Sequence, residues 1–279
     1  MVRIQRFLRT ELVLGFPISA LPFRQVVDLL LGWAKEGEGK MVCIANTHML
    51  VEAHRNNEFA DVLQQGSLLT PDGMPLVWML RSMGVLHPER VAGPDLFVAL
   101  CQRASAEGLS LFFLGSEQAI LDRMHQRLEH EFPDLKIAGM LPLPFRPLTS
   151  AEDESVVNTL NSSGAGIVFV SLGCPKQEKW MAKHKEQVKL VMIGVGAAFP
   201  IYAGLQQRAP GWIQKNGFEW LFRLVQEPRR LWIRYGTTIP VFAWLALKQL
   251  LGTANLSQPL PARKRLTGSA IEVVLNNRK

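Results

Sequence analysis

Residues 166–185 read GIVFVSLGCPKQEKWMAKHK. An apolar run, Gly166–Leu172, meets a Gly-Cys-Pro turn and then a polar segment of helical pattern. A short run with so little alternation predicts a strand covered on both faces, as in parallel sheets. Pro175 suits the first turn of a helix over Lys176–Lys185. The same order recurs along the chain. Upstream strands are predicted at Met41–Ala45, Ser67–Thr70, Leu109–Leu114 and Leu135–Ala138, and a downstream one at Lys189–Val195. Turns follow most of them: Asn46-Thr47, Pro71-Asp72-Gly73, Gly115-Ser116 and Gly194-Val195-Gly196. Helical patterns are read over Met49–Gln64, Met74–Met83, Pro94–Ala106, Glu117–Phe132 and Ala151–Asn161. Such alternation predicts an α/β fold: a Rossmann-like, mostly parallel sheet flanked by helices, with right-handed crossovers. In sheets of this kind ligands bind beyond the carboxyl ends of the strands.

The net charge of +7 suggests nucleic acid or membrane until it is located. Residues 1–204 carry 19 Lys+Arg against 21 Asp+Glu; residues 205–279 carry 12 against 3. The basicity therefore sits in the last quarter, with Trp212, Trp220, Trp232 and Trp244. A near-neutral body argues against nucleic acid as a partner. The longest apolar stretch, Thr238–Leu247 extended past Lys248 to Leu251, is shorter than the ~20 residues of a spanning helix and suits a membrane interface. Arg9 and Glu11 interrupt the apolar N-terminus, which does not fit a secretory leader. Cys43, Cys101 and Cys174 are far apart, so neither a disulfide framework nor a zinc ribbon is expected. The expected organisation is an α/β catalytic domain over residues 1–205, with a Pro-rich loop at Leu141–Ser150. A helical basic appendage contacting membrane follows over 206–252, then a disordered basic tail over 253–279.

Several turns carry candidate chemistry. Asp72 follows a strand, where a carboxylate can act as a general base on a hydroxyl group. Its spacing alone favours an ordinary turn or cap aspartate. Asn46 or Thr47 can bind a sugar or phosphate, or simply cap the helix that follows; His48 alone says little. Gly115-Ser116-Glu117 offers backbone amides at a helix start, which suit phosphate. Neither this turn nor Gly194-Val195-Gly196 completes a dinucleotide-binding glycine pattern. Lys176 and Gln177 can reach a diphosphate or a sugar hydroxyl, and Cys174 reads as a packed residue. Arg223, Arg230 and Arg234 would stack on one helical face suited to phosphate groups, with Pro228 as a breaking point. No carboxylate–histidine cluster has metal-ligand spacing, and no Asp-x-Asp occurs.

Taken in order, these motifs resemble the WecG/TagA/CpsF family of bacterial glycosyltransferases over roughly residues 10–235. The series runs through Ala45-Asn46-Thr47-His48, Pro71-Asp72-Gly73, Glu89-Arg90-Val91-Ala92-Gly93-Pro94-Asp95-Leu96 and Phe113-Leu114-Gly115. It continues with Gly173-Cys174-Pro175-Lys176-Gln177-Glu178, Gly194-Val195-Gly196, Ala203-Gly204, Arg208-Ala209-Pro210 and Glu219-Trp220-Leu221-Phe222-Arg223. The resemblance implies an inverting, metal-independent transfer with no cofactor. A hexose, N-acetylmannosamine or its uronic acid among them, would pass from a UDP-sugar to a polyprenyl-diphosphate-linked saccharide. The site would lie at the cytoplasmic face of the cell membrane, serving wall or surface polysaccharide synthesis. It implies Asp72 as general base, Asn46 and Arg90 lining the pocket, and Gln177 beside the donor diphosphate. Gly115, Lys176 and Gly196 belong to the same donor group. Arg223, Arg230 and Arg234 would lie in an appendage that closes over the site and touches the membrane. It also implies a homo-oligomer, a dimer or trimer. Ile44 and Pro200 depart from the family's common Thr and Asp, the first affecting a substrate hydrogen bond and the second contact with the nucleotide base. Two other readings stay open: a non-catalytic membrane scaffold carried by the basic tail, and a nicotinamide-dependent oxidoreductase.

Overall fold

The computed structural model describes residues 9–252. Strands β1 (Thr10–Val13) and β2 (Phe16–Ser19) form an antiparallel hairpin, and α1 (Phe23–Lys35) leads to β3 (Lys40–Ala45). Helices α2 (Thr47–Arg55) and α3 (Asn57–Gln64) cross to β4 (Leu68–Pro71). Helices α4 (Met74–Ser82) and α5 (Gly93–Glu107) lead to β5 (Ser110–Gly115), and α6 (Gln118–Glu131) to β6 (Lys136–Leu141). Then come α7 (Ser150–Ser162), β7 (Ile167–Ser171), α8 (Lys176–His184) and β8 (Val191–Gly194). The remainder is helical: α9 (Ala198–Tyr202), α10 (Gly211–Lys215), α11 (Glu219–Gln226) and α12 (Pro228–Leu250).

The strands form one eight-stranded sheet in the order β1-β2-β4-β3-β8-β7-β5-β6, parallel everywhere except β1–β2. The α/β architecture expected from the alternating pattern is thus present. Side chains alternate across the sheet, as the two-residue strand repeat requires. Met41, Cys43 and Ala45 face α2, α3, α4, α7, α8 and α12, while Val42 and Ile44 face α1, α5, α6 and α9. Both faces are therefore covered, which is why the strands read as unbroken apolar runs. All carboxyl ends of the parallel strands lie along one edge. The chain's first and second halves meet between β3 and β8, where the strand order reverses.

Three local readings differ from the structure. The β1–β2 hairpin lies in a stretch to which no strand was assigned. Leu14 and Gly15 turn it with φ of 51° and 84°, the doubly positive backbone of a tight hairpin. The helix predicted over Met49–Gln64 is two helices. Asn56 is extended (φ −127°), accepts from Phe59 N at 3.1 Å and starts α3 anew. The one-face stack of Arg223, Arg230 and Arg234 is split at Pro228, the breaking point the sequence marks: the chain leaves helical geometry at Glu227 (φ −130°, ψ 59°) and Pro228 starts α12. Arg223 and Arg234 therefore do not share a helix. The tail assigned to 253–279 lies outside the described residues.

Helix α12 is packed into the body. Leu231, Thr238, Phe242, Leu245 and Gln249 are buried, and Phe242 and Leu245 join the core on the α2 face. Gln249 clamps the hairpin, accepting from Leu14 N at 2.8 Å and donating to Leu12 O at 2.5 Å. Arg55 on α2 donates to Thr237 O at 2.9 Å. Among the described residues no helix is long and apolar enough to cross a membrane.

Candidate active site

Asp72 is the first residue past the buried strand β4. Its amide donates to Ala45 O at 2.7 Å, pinning it beside the end of β3. Gly73 then turns the chain into α4 with φ +96°, a conformation L side chains rarely adopt, and Pro75 sits in the first helical turn. Val91 N donates to Pro71 O at 2.8 Å, drawing the segment before α5 across the end of β4 and bringing Arg90 to the same edge. Arg90 is fully engaged: it binds Glu219 at 2.5 Å and Gln214 at 2.8 Å, and stands 3.7 Å from Asp95. Arg208 forks onto Asp95 with two contacts of 2.5 Å. These pairs fasten α10 and α11 over the strand ends with bidentate, charge-assisted bonds.

Asp72 carries no hydrogen bond to its carboxylate from the described residues. Burial pushes its pKa up from 3.8 to about 6. Arg90, Arg223 and Arg208 pull it down, Glu219 pushes it up, and burial dominates. A carboxylate at about 6 is mostly ionised at neutral pH yet far more basic than an ordinary aspartate, the combination a general base needs. His48 has its pKa lowered to about 4 by burial, then by Arg234 and Arg55, so it is neutral at pH 7. Burial also lowers the pKa of Arg234, whose Nε is buried without a hydrogen-bond partner. A cation left so is unusual, because buried polar groups are normally satisfied.

A cleft of about 440 Å³ gathers Asn46, His48, Asp72, Arg90, Arg223 and Arg234. Five of the ten residues singled out by sequence thus meet in one place. Asn46 also caps α2, its Oδ1 accepting from Met49 N at 3.1 Å, so both of its readings hold at once. Gly115, Gln177 and Gly196 form a separate group further along the same edge. Ser171 donates to Gly196 O at 2.7 Å, and Gly196 N donates to Gln177 Oε1 at 3.1 Å. Gly115 has φ +95°, and a Cβ there would lie 2.7 Å from Ser171 O. Gln177 is 4% exposed and donates to the buried Glu178 at 2.7 Å, so it braces the strand ends. Burial raises the pKa of Glu178. Lys176 opens α8 beside this group. Two strand spacings separate β4 from β8, roughly 10 Å. Arg230 lies outside the cleft, exposed and paired with Glu227 at 2.8 Å.

Sequence reading did not single out Glu219, Gln214, Trp78 or Tyr235 as site residues. Glu219 and Gln214 matter because they hold Arg90, a pairing across more than a hundred residues. The one available signal was the position of Glu219 in the same short motif as Arg223. Ile44 packs into the core beneath the edge, 6% exposed, so that departure from the family pattern is an apolar core position. Among the described residues no group of three or more His, Cys, Asp or Glu side chains is placed to hold a metal ion.

Residues 12–256 match the Glycosyl transferase WecG/TagA/CpsF family. The chain belongs to this family of glycosyltransferases. Two relatives carry the name N-acetylglucosaminyldiphosphoundecaprenol N-acetyl-beta-D-mannosaminyltransferase. The Bacillus spizizenii protein is 28% identical over 246 residues, covering 86% of this chain and 93% of the relative. The Bacillus subtilis (strain 168) protein is 27% identical over 245 residues, covering 87% and 93%. The matched span includes every residue of the cleft, α12 among them. The matched span thus takes in helices α10, α11 and α12 of the C-terminal segment.

Proposed function

We propose that the chain transfers a hexose, N-acetylmannosamine or a close relative, from a UDP-sugar to a polyprenyl-diphosphate-linked saccharide, with inversion and without a metal. The names of the relatives supply the acceptor class and the sugar. The observation that carries the reading is one basic carboxylate, Asp72, facing a bank of arginines in a single cleft. Asp72 takes the proton of the acceptor hydroxyl as its oxygen bonds to the anomeric carbon. The bond from that carbon to the UDP oxygen breaks, and the diphosphate leaves on the opposite face. Negative charge grows on the leaving group, and preorganised cations stabilise it at low cost. Arg234, already desolvated and short of a partner, is suited to that task, and Arg223 stands beside it. The turn at Gly115 leads into α6, whose first backbone amides lie along the same edge for the donor.

Membrane association at the cytoplasmic face belongs to the same proposal. Trp232, Ile233, Trp244 and Leu247 of α12 are 55–70% exposed. Lys248 lies 3.6 Å over the Trp244 ring. Exposed aromatics with basic partners suit the boundary between headgroups and acyl chains. Such docking presents the cleft to a lipid-linked acceptor.

The test is UDP release with a lipid-diphosphate acceptor and excess chelator, for wild type and Asp72→Asn. Transfer is expected to survive the chelator and to fall at least 100-fold in the variant, within the ~10²–10⁴ range for loss of a general base. Equal rates would remove Asp72 from its role, and loss on chelation would remove the metal-independent mechanism.

A further inference from the structure

The cleft has two chemistries. Its polar end holds Asp72, Arg223 and Arg234. The rest is an apolar trough between α4 and α12, walled by Trp78, Ile239, Phe242, Ala243, Ala246 and Leu250. The α12 residues recur at helical spacing and so share one face. Trp78 and Leu250 are each 46% exposed, large apolar side chains in a groove that none of the described elements fills. Ala243 and Ala246 supply too little side chain to close it. Gly217, with φ +78°, folds against the Trp78 ring; a Cβ there would lie 2.8 Å from the indole.

The direction of the trough follows from what fixes its walls. Helix α4 begins two residues after Asp72 and packs on β1. Helix α12 carries Arg234 in its second turn and is clamped to β1 by Gln249 near its far end. Both walls therefore run from the polar site to the hairpin. Along α12, Arg234 to Leu250 spans roughly 24 Å at 1.5 Å per residue. From one end to the other the cleft passes from a charged site, with Asp72, Arg223 and Arg234, to hydrocarbon.

An acceptor built as sugar hydroxyl, diphosphate and polyprenyl chain has its parts in that order. We propose that the trough holds the first isoprene units of the acceptor's lipid, lifted out of the bilayer, with its diphosphate at the mouth of the polar end of the cleft. This rests on the reading of Asp72 as the base for a lipid-linked acceptor. It differs from membrane docking, which uses exposed side chains such as Trp244 that do not line the trough. Continuity with the polar site selects the occupant: a ligand in one cleft that is charged at one end and apolar along the rest carries a charged head on a hydrocarbon tail.

The test uses the full chain without membrane or detergent, titrated by calorimetry with inorganic diphosphate and with farnesyl diphosphate. Farnesyl diphosphate is expected to bind at least 10-fold more tightly. Tenfold is about 1.4 kcal/mol, the burial of only about 60 Å² of apolar surface, well within one prenyl group. Ala246→Phe fills the trough and is expected to abolish the preference while keeping the affinity for diphosphate. Ala243→Phe serves the same end should the first variant fail to fold. Trp244→Ser, outside the trough, is expected to leave the preference intact. Equal affinities in wild type, a preference that survives both Phe variants, or one lost in Trp244→Ser would overturn the proposal. Asp72→Asn is expected to bind farnesyl diphosphate with the wild-type preference. Failure of Asp72 as base would thus show in turnover alone, and failure of the trough in binding.

Discussion

Replacing Asp72 with Asn is expected to stabilise the protein while it disables transfer. In the folded state the carboxyl titrates at about 6 against an ordinary 3.8, because burial outweighs the neighbouring arginines. Above pH 6 the fold therefore holds an ionised group that the unfolded chain solvates better. Two pH units correspond to about 3 kcal/mol at ~1.4 kcal/mol per unit, and water reaching the carboxylate through the cleft reduces this to about 1–3 kcal/mol. The sign is the reverse of a salt-bridged aspartate. The folded pKa is raised, so wild-type stability from this group increases as pH falls from 7.5 through 6 toward 4. Below 3.8 the carboxyl is protonated in both states and the difference vanishes. The assay is urea unfolding of both proteins at pH 7.5, 6 and 4. Asn is expected to gain most at pH 7.5, nearly as much at pH 6, and about a fifth as much at pH 4. A variant less stable than wild type at pH 7.5, or a gain that does not shrink with acid, would refute the reasoning. The same carboxyl sets the acid limb of wild-type kcat/KM, with a midpoint near 6 and about 10% of the plateau left at pH 5.

Other perturbations test neighbouring parts. Asn46→Ala removes the α2 cap and is expected to cost about 1 kcal/mol in thermal or urea unfolding; Asn46→Ser, which can still cap, should recover most of that stability without restoring any contact the amide makes to substrate. Gly217→Ala forces a Cβ to within 2.8 Å of the Trp78 ring at φ +78°, and is expected to lower stability by about 1–2 kcal/mol and shift Trp fluorescence. Asp153 accepts from Trp180 Nε1 at 3.0 Å and pairs with Lys183 and His184, tying α7 to α8. Burial opposes its ionisation, but these partners together hold its pKa below the usual carboxylate value, so its stabilisation is present at neutral pH and lost in acid as the carboxyl protonates. Asp153→Ala is expected to cost about 3 kcal/mol at pH 7 and less as pH falls below 4, read as a shrinking gap between the two unfolding midpoints.

The sheet was legible because parallel strands buried on both faces leave unbroken apolar runs, and each run ends in a turn rich in Gly, Asn or Pro. The hairpin was not legible, since its four-residue strands carry Glu11 and Pro17 and depend on a turn that only the backbone of Leu14-Gly15 reveals. Asn56 was read through as helix because the apolar spacing on either side stays in phase. Asp72 and Asn46 sit in turns at strand ends, where position in the sequence and position in the cleft coincide, whereas Arg90, in the segment before α5, came only with the family resemblance. Glu219 and the apolar trough were out of reach for the opposite reason. Arg90 meets Glu219 across 129 positions, and the trough exists only because α12 folds back beside α4. Arg230 and Arg234 look equivalent in sequence, yet one pairs with Glu227 in solvent and the other is buried at the cleft. Both lie on α12 one turn apart, so what separates them is what each meets: Glu227 for Arg230 and the cleft for Arg234.

The most direct measurement of the account is the anomeric configuration of the product. Wild-type protein is incubated with α-linked UDP-N-acetylmannosamine and a prenyl-diphosphate N-acetylglucosamine acceptor, and the new linkage is read by NMR. A single displacement with Asp72 as base predicts a β-linked product, formed together with UDP in equal amounts. An α-linked product, or none while UDP is released to water at the same rate with and without acceptor, would contradict it.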